Sequence, residues 1–226
     1  MSKLLNFTNL QIVDRARSCV KDIVKYRLPY PNGGSDPTTT KPYSVVNISG
    51  TNINVCDCIG FAMWCCGISR RFQGLPMVPP FPDTPSVAGS YINCSSLVEE
   101  ALGFDRRRGQ TRYPGGRFFK IVEVPVPGDL IVYPGKTVSP NNPPHGHIGV
   151  IVSIPTGEEA PKNASVDLWI TKDKSKVKSP LRIIHCSASN YRHRGRAVYE
   201  TDASVWKDRG AYFVHFNREE LLRGAV

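Results

Sequence analysis

Residues 55–67 read VCDCIGFAMWCCG, and this stretch decides the fold because it predicts a helix that is buried on nearly every side. Asp57 is a favourable N-cap residue, the residues after it are mostly apolar, and Gly67 is a stop signal. Cys58 then occupies the first helical turn, where unpaired backbone N–H groups and the positive end of the helix dipole favour a thiolate. This cysteine is either a nucleophile or an ordinary buried residue, and the downstream sequence has to distinguish the two.

The composition is typical of a globular protein with a basic surface. The 226 residues are enough for one large domain, and 40% hydrophobic and 21% charged residues are ordinary values. We expect a single domain over residues 1–226, with insertions near 75–116 and 154–180. The net charge of +10 fits either a merely basic surface or a polyanionic partner. The basic residues follow no helix-turn-helix or zinc-finger pattern, so nucleic acid is the less favoured partner.

Two features bear on the cellular compartment. No apolar run approaches the roughly 18 residues that a membrane span requires, and residues 1–17 lack the apolar region of a signal peptide. We therefore expect synthesis in the cytoplasm and no membrane span. The chain has 7 cysteines, an odd number, and neighbours such as Cys65 and Cys66 are poorly placed for a disulfide framework, so mostly reduced thiols are expected.

The apolar periodicity predicts helices in the first half of the chain and strands in the second. Helices are predicted at 4–27, from residue 58, and from Asn93 or Ser95 to Leu102, the last one capped by Ser95 or Ser96 and stopped by Gly103. Between them we expect a polar loop at 35–54 with one strand at 43–48, an irregular crossing at 75–90 and an exposed basic loop at 106–116. Strands are predicted at 118–124, 128–133, 147–152, 181–185 and 211–216, with an extra one at 167–171. This order indicates an α+β fold in which an antiparallel sheet packs on the central helix.

Two histidines could complete a site around Cys58. His147 begins one predicted strand, which would put its imidazole at a sheet edge, and His185 ends the next long strand. If the strands are neighbours, both imidazoles come together above the start of the Cys58 helix. A thiolate, a histidine that holds the ion pair and a third polar group that fixes its tautomer are what nucleophilic attack on an amide requires. Backbone N–H groups at the helix start would stabilise the oxyanion.

Five motifs occur in an order that resembles the NlpC family of papain-like cell-wall peptidases. They are Tyr30-x-x-Gly33-Gly34, Asp57-Cys58-x-Gly60-Phe61, the run from Pro127 to Tyr133, the run from His147 to Val152, and Ile184-His185-Cys186-Ser187. The related CHAP amidases share the Gly-Asp and Gly-His elements. The resemblance covers about residues 12–190 and implies a papain-like fold.

The resemblance also implies a function. Cys58 matches the nucleophile, His147 the base and His185 the third, orienting residue, while Tyr30 and Asp57 match positions on the substrate or oxyanion side. Asp129 lies on the family's Gly-Asp turn, where a structural role is expected. The implied reaction is cleavage of an amide bond in the peptide stem or cross-bridge of peptidoglycan, without a cofactor or metal. A phage lysin released by lysis and an exported antibacterial effector both fit, and the second would have an immunity protein as partner.

The chain departs from the family pattern in two places. Ile59 follows the nucleophile where the family usually has a small serine, which changes a pocket wall. The gap between His147 and His185 is much longer than usual because the insertion at 155–180 fills it. If the CHAP comparison is the closer one, Asn190 replaces His185 as the orienting residue.

Two other classes of function remain open from the sequence. Cys56 and Cys58 with His145 and His147 could bind zinc, although the cysteine spacing is not that of common structural sites. A wall-binding or nucleic-acid-binding module on the same fold, without chemistry, fits the charge equally well. The remaining residues of these types have simpler interpretations: Cys56, Cys65, Cys66, Cys94 and Cys186 are predicted to be small buried hydrophobes, His145 and His193 surface residues, and His215 a late-strand histidine.

Overall fold

The computed structural model describes residues 7–26, 37–69, 92–105, 110–111, 116, 118–135, 146–155, 166–171 and 181–223. In these ranges the helices are α1 (Asn9–Ser18), α2 (Cys58–Cys65), α3 (Cys94–Ala101), α4 (Val166–Thr171), α5 (Ala188–Arg194) and α6 (Arg218–Arg223), with a 3-10 helix at Ala203–Trp206. The strands are β1 (Lys25–Tyr26), β2 (Ser44–Ile48), β3 (Thr51–Cys56), β4 (Phe104–Asp105), β5 (Gln110–Thr111), β6 (Phe119–Val122), β7 (Leu130–Tyr133), β8 (His147–Ser153), β9 (Arg182–Cys186), β10 (Val198–Asp202) and β11 (Tyr212–Phe216).

The main sheet contains six of the described strands in the order β10-β9-β8-β7-β11-β6, with every neighbouring pair antiparallel. Five of these strands fall where the sequence predicts them, and β10 was not predicted. The α+β class and the antiparallel sheet are therefore confirmed. No helix in the described ranges is long and apolar enough to cross a membrane.

Side chains on the two faces of the sheet enter separate cores because successive residues of a strand point in opposite directions. Ile148, Val150 and Ile184 belong to the larger core, which they share with α1, α2 and α3. Ile151 and Ile183, at the alternate positions, belong to a smaller core with α4 and the 3-10 helix. The sheet is thus covered on both faces, and α2 packs against β8 and β9 on the larger side.

The helix predicted at 4–27 is shorter than expected. α1 starts after the N-cap Thr8, whose side chain accepts from the backbone of Gln11, and it ends at Ser18. Lys25–Tyr26 form β1 instead, paired in parallel with Val55–Cys56. The apolar spacing predicts too long a helix because it includes Ile23, which lies after the turn that ends α1 and is 79% exposed.

The polar loop predicted at 35–54 is largely a hairpin. β2 occurs as predicted, but β3 pairs with it through Ser49 and Gly50, which have φ values of 52° and 83°. Two consecutive left-handed residues produce the tight turn that suits the twist of antiparallel strands. The sequence does not predict β3 because its residues are mostly polar. Their side chains are largely exposed as far as Asn54, and only Val55 and Cys56 are buried.

Other predictions were wrong in detail or lie outside the described residues. The extra strand predicted at 167–171 is the helix α4, in which Val166 and Trp169 share one buried face at helical spacing. α3 is capped by Asn93 rather than by Ser95 or Ser96, and Ser96 bonds back to the Asn93 backbone. The crossing at 75–90 lies outside the described residues. So does the loop at 106–116, except for β5 and Gly116.

Candidate functional site

Cys58 is the first residue of α2, as predicted. The N-cap Asp57 is fully buried, and its Oδ1 accepts a hydrogen bond of 2.7 Å from the Gly60 backbone, which fixes where the helix begins. All eight residues of α2 are buried, and Gly67, with a φ of 74°, follows its end. The structure therefore gives Asp57 a capping role and leaves Cys58 4% exposed at the positive end of the helix.

The remaining cysteines are buried too, as the sequence predicts for Cys56, Cys65, Cys66, Cys94 and Cys186. None of the 7 forms a disulfide. Burial raises the pKa of Cys19, Cys65 and Cys186, and it raises the pKa of Cys66 to about 12. These four thiols stay protonated at neutral pH and are poor nucleophiles. Cys94 resembles Cys58 more closely, because it is the first residue of α3 and is 5% exposed.

His147 and His185 form a hydrogen-bonded pair. They lie on the adjacent strands β8 and β9, and His147 Nε2 is 2.7 Å from His185 Nδ1. The two rings are nearly perpendicular, with centroids 4.8 Å apart. His147 is 7% exposed and His185 1%, so the His147 ring, expected at a sheet edge, is buried. The sequence-based prediction that neighbouring strands bring these imidazoles together is confirmed.

The histidine pair belongs to the face of the sheet that α2 does not cover. His147 and His185 alternate with Ile148 and Ile184, which contact the α2 core, so both rings point towards Trp206 instead. The expectation that the imidazoles stand above the start of α2 was wrong in this respect. His147 is the first residue of β8, so its ring lies at an end of the sheet.

The start of α2 lies at the same end of the sheet as His147. The Cys186 thiol, at the last residue of β9, is 3.5 Å from the Cys56 carbonyl, two residues before Cys58. Tyr133 pairs with His147 in the sheet, and the centroids of their rings are 6.1 Å apart. Burial raises the pKa of the Tyr133 phenol, and charges at Cys94 and Cys58 raise it further. Cys58 and the histidine pair therefore lie at the same end of the sheet.

The comparisons with known proteins give no family for this chain. The sequence matches no protein-family model, and no curated protein is significantly similar to it.

Two aromatic residues that the sequence analysis did not single out complete the surroundings. Trp206 stacks on His147 with centroids 5.2 Å apart and meets His185 edge-on at 5.0 Å. Tyr26 in β1 has its pKa raised first by burial and then by charge at Cys58 and Asp57, which places it beside α2. Both residues come from distant parts of the chain, and no local pattern in the sequence identifies them.

Two polar side chains contact His185 at Nε2, the ring nitrogen that does not face His147. Thr201 Oγ1 in β10 is 3.0 Å from His185 Nε2. Asn190, the alternative orienting residue, is buried next to it: its Nδ2 is 3.3 Å from the same nitrogen and donates to the carbonyls of His185 and Ala197 at 3.2 Å each. His185 therefore lies between His147 and Asn190.

The other predicted residues are placed as follows. Tyr30 and His145 lie outside the described residues. Asp129 accepts from the Val126 backbone and pairs with His215 at 2.7 Å, in keeping with a structural role at its turn. His193 is exposed, as predicted. Within the described ranges, no group of three or more His, Cys, Asp or Glu side chains is arranged to hold a metal ion.

His185 makes the stability of the fold depend on pH. Burial, and after it the electrostatic interaction with His147, lowers the pKa of His185 well below 6.5. The unfolded chain therefore binds a proton that the folded chain does not, and stability is lost as pH falls below 6.5. We expect the free energy of unfolding in urea to fall between pH 7 and pH 5.5 by up to about 1.4 kcal/mol per pH unit from this residue.

The variant His185→Gln should lose this part of the pH dependence, whereas His193→Gln, on an exposed helix position, should keep it. An unchanged slope in His185→Gln would show that His185 is not the group that titrates.

Gly149 provides the space in which the histidine pair forms. A Cβ at this position would lie 2.4 Å from Ile183 Cγ2 and 3.1 Å from His185 Cβ. We expect Gly149→Ala to lower the free energy of unfolding by about 1–3 kcal/mol, measured by urea denaturation, because the packed sheet has to shift. In an Ile183→Ala background the clashing methyl is absent, so the same change should cost less. Equal costs in the two backgrounds would contradict the steric explanation.

Proposed function

We propose that this chain is a cysteine-dependent hydrolase with a papain-like fold, which cleaves an amide bond in the peptide stem or cross-bridge of peptidoglycan. The observation that carries the proposal is the 2.7 Å contact between His147 Nε2 and His185 Nδ1, at the sheet end where Cys58 begins a buried helix. The order of the motifs that resemble the NlpC family supports the substrate class. The net charge of +10 suits attraction to an anionic wall.

The proposed reaction starts with the transfer of the Cys58 proton to His147. Because the Nε2 atom of His147 is engaged with His185, Nδ1 is the nitrogen that takes the proton. The thiolate attacks the amide carbonyl, and the positive end of α2 stabilises the oxyanion. His147 then protonates the leaving amine, which yields a thioacyl-enzyme. Water, deprotonated by His147, hydrolyses this intermediate and restores the thiol.

The environment of the histidine pair supports these roles. His185 remains uncharged at neutral pH because its pKa is lowered by burial, so it orients His147 and does not compete for the proton. Trp206 covers both rings and excludes water from their hydrogen bond. We further propose that the protein meets the wall after export or lysis, with an immunity protein as partner if it is an antibacterial effector.

The test is digestion of purified sacculi followed by mass spectrometry of the released fragments. The proposal predicts fragments with a new free amine and a new carboxylate at one type of peptide bond. Protein alkylated with iodoacetamide is the matched control, and it should release nothing. Binding to sacculi without any release would instead support a non-catalytic wall-binding module.

A further inference from the structure

The hydrogen bonds behind His185 determine which of its nitrogens carries the proton. Thr201 has one hydroxyl proton, and its Oγ1 donates to the Asp202 carbonyl at 2.9 Å. The contact of 3.0 Å between this oxygen and His185 Nε2 therefore needs the proton from the histidine. Asn190 uses its two N–H protons on the carbonyls of His185 and Ala197. It does not supply a proton to Nε2.

We propose that Thr201 is a positioning residue that holds His185 in the tautomer with its proton on Nε2. His185 Nδ1 then carries a lone pair and accepts from His147 Nε2 across 2.7 Å. His147 in its neutral form is consequently protonated on Nε2 and has its lone pair on Nδ1. The chain of donors runs from His147 through His185 and Thr201 to the Asp202 carbonyl.

The catalytic consequence rests on the proposed function. The Cys58 proton moves to His147 Nδ1, while His147 keeps the proton on Nε2 and donates it more strongly to His185 once the imidazolium forms. With the opposite tautomer, His185 would donate from Nδ1, and neutral His147 would accept at Nε2 and carry its proton on Nδ1. It could then take no proton from Cys58. Thr201 thus selects the arrangement in which the pair acts as a base.

The position of Thr201 suits this role. It lies opposite Ile183 in the β9–β10 pairing, two residues from His185, on the same face of the sheet. The other described groups around the pair are Tyr133 from β7, Trp206 from the 3-10 helix and Asn190 from α5, and the Arg209 guanidinium lies over the Tyr133 ring at 5.7 Å. At His185 Nε2, Thr201 presents its hydroxyl oxygen, whereas Asn190 presents its amide nitrogen.

The first experiment reads the tautomer directly and does not depend on enzymatic activity. Two-bond ¹H–¹⁵N correlation spectra of the full chain distinguish the protonated from the unprotonated ring nitrogen, and the His185→Gln variant assigns the signals among the 5 histidines. Wild type should show the proton on His185 Nε2. A proton on Nδ1 would overturn the proposal, whatever the behaviour of any variant.

The second experiment compares Thr201→Val, which removes the hydroxyl, with Thr201→Ser, which keeps it. Thr201→Val should show a mixture of His185 tautomers, and alkylation of Cys58 by iodoacetamide at pH 6 should slow about tenfold, as for the loss of one hydrogen bond. Thr201→Ser should restore both signals. Thr51→Val, on the exposed hairpin, controls for general effects.

The possible failures can be separated. A Thr201→Val variant that retains the pure Nε2 tautomer would overturn the positioning role of Thr201. If the tautomers and the alkylation rates are as expected but the wild-type protein digests no sacculi, the proposed hydrolase function is contradicted. The positioning role of Thr201 would still stand. A variant that is merely less stable would show lower thermal stability without a change of the tautomer, which also counts against the proposal.

Discussion

Cys58→Ala is expected to abolish the release of fragments from purified sacculi, with a loss of at least about a thousandfold in rate. The sulfur is the proposed nucleophile, and alanine offers no atom that could form the thioacyl intermediate. The fold should survive, because the change removes one atom from the edge of a large core. Dye release from labelled sacculi measures the rate, and circular dichroism with thermal unfolding checks that the protein is folded.

Cys94→Ala is the matched control for this experiment. Cys94 also begins a helix, has almost the same exposure as Cys58, and lies close enough to Tyr133 for its charge to raise the pKa of that residue. The variant should keep most of the activity, because the order of motifs favours Cys58 alone. If Cys94→Ala is inactive and Cys58→Ala is active, the nucleophile is on α3 and the proposed mechanism is wrong.

His147→Gln is expected to cost nearly as much as the loss of the thiol, about a thousandfold. Glutamine approximates the size of the ring but cannot take a proton from Cys58. His185→Gln should cost less, about ten- to a hundredfold, because the proposed role of His185 is to orient His147 across their hydrogen bond and not to receive the proton. The rates of sacculi digestion over a range of pH, measured for both variants, distinguish the two roles.

His193→Gln provides the control for a general effect of removing a histidine, since that side chain is exposed on α5. It should match wild type at every pH. If His185→Gln is inactive while His147→Gln retains activity, the order of base and orienting residue is reversed.

The parts of the fold that the sequence predicts well depend on local signals. Asp57 and Gly67 mark the two ends of α2 through helix capping, which acts within a few residues. The apolar strands of the main sheet are similarly clear. β1 and β3 were missed because each is stabilised by its partner strand more than by its own residues. In the same way, residues 167–171 form part of the helix α4 and not the predicted strand, because packing against the sheet sets their conformation.

The candidate site shows the same division. His147 and His185 could be selected from the sequence because each sits at the end of an apolar strand that a motif marks. Thr201 and Trp206 could not, because their relation to the pair arises from β10 and the 3-10 helix returning to the sheet. Successive side chains of β8 point to opposite faces of the sheet, and this alternation decides the face on which the rings lie. The prediction considered only which strands are neighbours and not this alternation.

The parallel pairing of β1 with β3 connects the beginning of the chain to the segment that leads into Cys58. Lys25 and Tyr26 lie against Val55 and Cys56, and the Val24 carbonyl accepts a 2.7 Å hydrogen bond from Ala197. Removal of the first 26 residues would therefore take away α1 and β1, which contact α2 and β3 beside Cys58, while the candidate catalytic residues Cys58, His147 and His185 stay in the chain.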